Sequence, residues 1–302
     1  MIVFGSNSQG LAEKISKQTQ IPIAKILLKR FPDGESYVLV DENVGGKEVF
    51  LVQSMYPNQN DALVELLLIS DALKNLRAKK ITAIIPYLAY ARQDKPSQLG
   101  EPHSLKVVVE LLKDAGISKV ITVDTHFHKK VESFRFLDLG FENVSAGRLL
   151  LDDIRKTTGL DTLVVGPDSG SSELINYTTG KKIFLEKEEI CPTCKNSRTK
   201  CKCEESVKKY EVSGFKGDID FSGKNVVILD DMITSGTTMI KAVEKIREEG
   251  ANKVIVATTH GLFLKDSLKI LKEKTDYLVT TDSIETPFSK VSIAPLIAGV
   301  LR

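Results

Sequence analysis

The sequence predicts an α/β protein of two similar domains, each built on a mainly parallel sheet, with a four-cysteine knuckle inserted in the second. Three observations predict it. Apolar runs of about five residues alternate with amphipathic stretches of helical length, which is the pattern of βαβ units. The rhythm occurs twice, before and after residues 140–148. All four cysteines of the chain fall between Cys191 and Cys203.

The elements follow in order. "KEVFLVQS" reads as a buried strand leading to the helix "NDALVELLLISDALKNL". "KKITAIIPY" is the next strand, followed after a polar loop by the helix "SLKVVVELLKDAG" and the strand "KVITVDTH". The second half repeats the scheme with "TLVVGPDSG", "KIFLEK", "KNVVILDD", the helical "TTMIKAVEKIREEG", "NKVIVATTH" and "DSLKILKEK". Domains are expected at 1–142 and 143–302, with residues 187–217 as an insertion and the last 15 or so residues returning to the first domain. Residues 187–217 have no hydrophobic period, and a stretch that long is usually functional.

Charge narrows the partners. Lys+Arg number 42 and Asp+Glu 40, a net charge of +2, so there is no global attraction for nucleic acid or an anionic membrane. An anionic ligand needs a local site. No apolar run approaches the ~18 residues of a membrane span, and the start "MIVFGSNSQG" lacks a charged leader region. The expectation is a soluble, cytoplasmic protein with no nucleic-acid or membrane partner. In that compartment thiols stay reduced, so clustered cysteines favour a metal over disulfides.

"VVILDDMITSGTTM" carries the most chemistry. Val226 to Leu229 form a buried strand that ends in Asp230 and Asp231. Ile240, Val243 and Ile246 recur about one turn apart, so Thr234, Ser235, Gly236, Thr237 and Thr238 are expected at a helix N-terminus. Backbone N–H groups, a helix dipole and hydroxyls that converge there suit a phosphate. The two carboxylates suit ribose hydroxyls or Mg²⁺. Neither GxxxxGK[ST] nor GxGxxG occurs, which removes support for a Walker loop or a dinucleotide fold.

This segment resembles the diphosphate-ribose loop of the type I phosphoribosyltransferase fold. "KRFPDGESYV", "PYLAYARQDK", "VDTHFHKK" and "VGPDSG" occur in the order seen in the ribose-phosphate diphosphokinase family, and the resemblance spans essentially the whole chain. It implies transfer of diphosphate from Mg-ATP to the C1 hydroxyl of ribose 5-phosphate. It also implies an ATP site of Phe31, Asp33, Glu35, Arg92, Gln93 and Asp94, with the first loop reaching into a neighbouring subunit. A homo-oligomer, dimer-based and up to a hexamer, goes with that. Phe31 offers a flat face to adenine and Asp33 and Glu35 offer acceptors, although Pro-Asp-Gly is also ordinary turn chemistry. His126 and Asp168 are implied near Mg²⁺, and Asp168 near the ribose. Lys187 is implied as a catalytic cation at the start of the family's catalytic loop. Where the family has an arginine two residues further on, this sequence has Glu189.

Cys191, Cys194, Cys201 and Cys203 form CxxC and CxC pairs with a six-residue spacer. Four thiolates at that spacing suit a tetrahedral, structural Zn²⁺. Such a knuckle would carry Arg198, the first choice to replace the missing cation, because its fork holds two phosphate oxygens. Three rivals stand beside the diphosphokinase. One is a non-catalytic paralogue, favoured by Glu189. Another is a phosphoribosyltransferase, disfavoured by "FPDGE" and "YARQD". The last is a nucleic-acid module, disfavoured by near-neutral charge and by the lack of aromatics between Cys191 and Cys203.

Overall fold

A computed structural model describes residues 1–179, 183–191, 193, 194, 196, 201, 203, 211–216 and 219–301, with backbone alone at 187–190 and 211–216. In chain order the elements are β1 (Ile2–Phe4), α1 (Gln9–Thr19), β2 (Ile26–Arg30), β3 (Ser36–Val40), β4 (Glu48–Val52), α2 (Gln59–Asn75), β5 (Lys80–Ile84), α3 (Ser104–Asp114), β6 (Ile117–Val123), β7 (Ser133–Phe136) and β8 (Leu139–Val144). There follow α4 (Gly147–Thr158), β9 (Leu163–Val165), α5 (Ser172–Thr179), β10 (Glu186–Ile190), β11 (Glu211–Lys216), β12 (Asn225–Ile233), α6 (Thr237–Glu248), β13 (Lys253–Gly261), α7 (Ser267–Lys274), β14 (Tyr277–Thr281), β15 (Ser289–Val291) and α8 (Ala294–Val300).

Contacts divide the chain into two units, Met1–Leu149 with Thr281–Arg302, and Leu150–Thr280. The division differs from a cut near residue 142. It falls inside α4, and the returning segment begins at Thr281. Burial explains the return. Ile293, Ala294 and Ile297 join Leu11, Ala12 and Ile15 of α1 over the first sheet, in one apolar cluster with Ile2, Val52, Ile84 and Ile121. Polar ties hold the same segment. Asp282 pairs with Lys14 at 2.7 Å and accepts from the Ile293 N–H at 2.8 Å.

The first unit's sheet has the order β1-β4-β5-β6-β8-β7, parallel except for β7 against β8. Beside it β2 and β3 form a hairpin. The second unit has parallel strands in the order β14-β13-β12-β9. Val226 to Leu229 of β12 are fully buried, as a central parallel strand covered on both faces demands. Each such side chain contributes about 1.5–3 kcal/mol by leaving water. "KIFLEK" does not join this sheet. It makes one parallel bridge, Phe184 to Gly166, and then continues as β10, which pairs antiparallel with β11. The expected insertion at 187–217 therefore has a two-stranded ribbon at its base. No helix among the described residues is long and apolar enough to cross a membrane.

Candidate active site

In the second unit the ladder between β12 and β13 runs past Leu229, through the pairs Asp230–Thr258, Met232–His260 and Ile233–Gly261. Asp230 and Asp231 thus belong to the strand itself, because β13 is equally long and keeps supplying partners. Asp231 is buried and Asp230 half-buried. Burial, with the charges of Asp231 and Asp168 added, pushes the Asp230 carboxyl well above its ordinary value. The charges of Asp231 and Asp168 are thus near enough to act on Asp230. Asp168 comes from the turn after β9, where its Oδ1 accepts from the Gly170 N–H at 2.7 Å.

The strand then turns into α6. The carbonyl of Ile233 accepts from the N–H groups of Leu262 and Phe263 at 3.0 and 3.1 Å, and that of Thr234 from Leu264 at 2.8 Å. The loop after β13 therefore holds this turn in place. Gly236 sits at φ +74°, and a Cβ there would lie 2.6 Å from Ser267 Cβ. No side chain caps α6. The first-turn N–H groups have no intrahelical acceptor, and they point where an anion gains from the helix dipole. Thr234 and Thr238 are half-buried, while Ser235 and Thr237 are exposed with their hydroxyls 3.3 Å apart. The structure thus brings Thr234 to Thr238 together as a hydroxyl-lined helix start.

Gly236→Ala is expected to lower stability by about 1–3 kcal/mol, from positive φ and the clash together. Adding Ser267→Gly should recover only the clash part. Urea denaturation of the single and double variants separates the two contributions. Ser267 is a supporting residue that the sequence did not disclose, since only the folded loop brings it to Gly236.

The ribbon starts from the same sheet end. Leu185 is buried in the core, its N–H donates to the Gly166 carbonyl at 3.0 Å, and Gly166 N–H donates to Ile183 at 2.9 Å. Lys187 lies two residues beyond Leu185, as Asp168 lies two beyond Gly166. In the ribbon Lys187 pairs with Phe215 and Glu189 with Val212, with a bulge between Glu188 and Glu189. Arg198 lies outside the described residues. Beyond β10 the four Sγ atoms of Cys191, Cys194, Cys201 and Cys203 lie within 4.8 Å of one another. The N–H groups of Cys194 and Thr193 hold the Cys191 thiol down at about 6. Hydrogen bonds that the Cys203 thiol donates to Cys194, Cys191 and Cys201 push it up to about 12.

In the first unit Phe31, Asp33 and Glu35 occupy the exposed tip of the β2–β3 hairpin. The turn is closed by Phe31 N–H to Glu35 at 2.8 Å and by Asp33 Oδ1, which accepts from Glu35 N–H at 3.1 Å. Phe31 packs edge-on to Tyr37 at 5.7 Å, yet keeps 48% of its surface exposed. Arg92 and Asp94 are exposed on the loop after β5. That strand ends at Ile84, so a longer loop than expected separates it from Arg92. Gln93 turns towards α3, where its Oε1 accepts from the Ser104 hydroxyl and its carbonyl from Leu105 N–H.

β6 ends at Val123, three residues before His126 rather than at it. Asp124 at φ +42° breaks the strand, and its Oδ2 accepts from Ala146 N–H. His126 Nδ1 lies 3.2 Å from Lys129 Nζ, a cation that "HFHKK" already advertised. His128 stacks on Phe134 and pairs with Glu132.

Comparison with known proteins decides the family. The model of the N-terminal domain of ribose phosphate pyrophosphokinase matches residues 1–116, and that of the phosphoribosyl transferase domain matches residues 145–294. The ribose-phosphate pyrophosphokinase of Pyrococcus furiosus is 35% identical, covering all of both chains. The chain belongs to the ribose-phosphate pyrophosphokinase family. The ribose-phosphate pyrophosphokinase of Burkholderia pseudomallei is 36% identical over 97% of this chain and 87% of its own. The crystal structure of phosphoribosylpyrophosphate synthetase from Mycobacterium smegmatis superposes with a TM-score of 0.81 at 30% identity, covering 100% of this chain and 97% of that one. Both units are therefore those of a ribose-phosphate pyrophosphokinase, with mainly parallel sheets, and the cysteine cluster is set into the second.

Proposed function

We propose that the chain transfers diphosphate from ATP to the C1 hydroxyl of ribose 5-phosphate, giving phosphoribosyl diphosphate and AMP. The observation that carries this reading is the run of Asp230 and Asp231 into the uncapped start of α6, in a chain related end to end to ribose-phosphate pyrophosphokinases. Thr234 to Thr238 bind the 5-phosphate through N–H groups and hydroxyls. Asp230 and Asp231 accept from the ribose hydroxyls and so orient the C1 hydroxyl for attack on the β-phosphorus. Phe31, Asp33 and Glu35 receive the adenine, and their exposure suits a loop that serves a neighbouring copy in a homo-oligomer. Arg92, Gln93, Asp94 and His126 hold the nucleotide, and Lys187 stabilises charge on the transferring group.

Mg²⁺ suits this site. Asp168, Asp230 and Asp231 offer hard oxygen donors, and a cation would offset the burial and neighbouring charges that raise Asp230. Asp168 would hold such an ion in the second unit and His126 is a candidate ligand in the first, and bound Mg²⁺ would neutralise phosphate charge. Four thiolates instead suit zinc. The paralogue reading rests on Glu189 alone. Release of AMP from ATP that depends on ribose 5-phosphate tests the activity, and its absence from correctly metallated protein favours the paralogue.

A further inference from the structure

The ribbon is anchored at its root by Leu185, which is buried in the second unit's core. It carries Lys187 in its first strand and ends at Cys191, directly after Ile190. Beyond that point the sequence "CPTCKNSRTKCKCEESVKKYE" offers very little apolar surface. Burial of such a stretch cannot offset the entropy of ordering it.

Sulfur geometry supplies the alternative. Cys191 Sγ lies 3.8 Å from Cys203 Sγ, and Cys194 Sγ lies 3.6 Å from Cys201 Sγ. A tetrahedral ion with metal–sulfur distances of about 2.3 Å sets its ligands about 3.8 Å apart. A disulfide needs about 2.05 Å, so neither pair is one. The turn is built for the purpose. Cys191 N–H donates to the Asn196 carbonyl at 2.8 Å, and N–H groups of Thr193 and Cys194 point at Cys191 Sγ, as that of Asn196 points at Cys194 Sγ.

We propose that Cys191, Cys194, Cys201 and Cys203 bind one Zn²⁺ that acts as a clamp at the ribbon tip, opposite the apolar anchor at its root. By fixing both ends, the ion holds the backbone of Lys187 in register with Phe215. Turnover thereby depends on a metal that touches neither substrate. The catalytic half of this inference rests on the diphosphokinase reading; the metal and ordering half does not.

The test uses the full-length protein as purified. Elemental analysis is expected to give about one zinc per chain, and cobalt exchanged into the site should show thiolate-to-cobalt charge transfer with tetrahedral d–d bands. Removing the metal should raise the rate of tryptic cleavage within residues 187–217 by about tenfold or more, while the rest of the chain stays resistant. Over the same titration kcat should fall by about 100-fold, with ribose 5-phosphate affinity unchanged and activity restored by added zinc. Cys203→Ser should behave as the metal-free protein. Cys203→His, which keeps a zinc ligand, should recover zinc content and protease resistance. A metal-free protein with unaltered protease resistance overturns the clamp, and one with unaltered kcat overturns its role in turnover. Iron in place of zinc overturns the assignment of the ion. If zinc-loaded protein resists trypsin but makes no phosphoribosyl diphosphate, the clamp stands and the diphosphokinase reading fails.

Discussion

Replacing Lys187 with alanine is expected to lower kcat by about 10²–10³, with ribose 5-phosphate affinity changed by no more than about twofold. The reason is timing. Negative charge on the transferring group and its leaving oxygen rises only as the bond to AMP breaks. A cation that meets it then acts on the transition state and barely on the ground state. Two residues separate Lys187 from Leu185, whose N–H bonds Gly166 in the turn that also carries Asp168. The substitution leaves this backbone anchor in place, so loss of rate should come without loss of fold. Steady-state kinetics with a thermal melt checks it. An equal fall in kcat and in ribose 5-phosphate affinity would show that Lys187 serves binding instead.

Asp230→Asn should weaken ribose 5-phosphate binding by about tenfold or more, and at the same time stabilise the protein at neutral pH by about 1 kcal/mol. The sign follows from linkage. The Asp230 carboxyl lies well above the 3.8 of an unhindered aspartate, through burial and then the charges of Asp231 and Asp168. Below that ordinary value both folded and unfolded chains hold the proton, so the site costs nothing. As pH rises through the window up to the raised folded value, the unfolded chain releases its proton first, and stability falls. Asparagine carries no charge, so its advantage should be absent in acid and grow through that window. It can still accept from the Asp231 N–H, which Asp230 Oδ1 meets at 3.0 Å. Denaturant melts from pH 4 to 7 read the trend. A variant that is destabilised at neutral pH would mean that the carboxylate is held by its surroundings, not tolerated for its ligand.

The βαβ rhythm was legible because its strands are buried on both faces and its helices are long; α2, α3 and α6 begin within a residue or so of where periodicity puts them. The hairpin of β2 and β3 was not. Its residues alternate weakly, with Leu27 and Leu39 exposed. α8 is only seven residues long and makes sense only once α1 is beside it. "KIFLEK" looked like one more sheet strand because Ile183 to Leu185 are apolar, but only Phe184 makes a sheet-like bridge before the charged "EKEEI" runs into the ribbon.

At the site, Asp230 to Thr238 were readable as one continuous motif. Asp168 was placed with them only through the family resemblance, and the pinning of Gly236 by Ser267 and the turn of Gln93 towards Ser104 were not readable, since each joins loops distant in sequence. The spacing of the cysteines pointed to a cluster, and their sulfurs do lie together. Their place at the tip of a ribbon rooted beside Gly166 needed the fold.

One measurement bears most directly on the central claim. Purified, zinc-loaded protein is mixed with ATP and Mg²⁺, with and without ribose 5-phosphate, and the products are followed by phosphorus NMR. The account predicts AMP and phosphoribosyl diphosphate in equal amounts, only when ribose 5-phosphate is present, with no ADP formed. ADP as the product, or AMP released together with free diphosphate and no phosphoribosyl diphosphate, would contradict it.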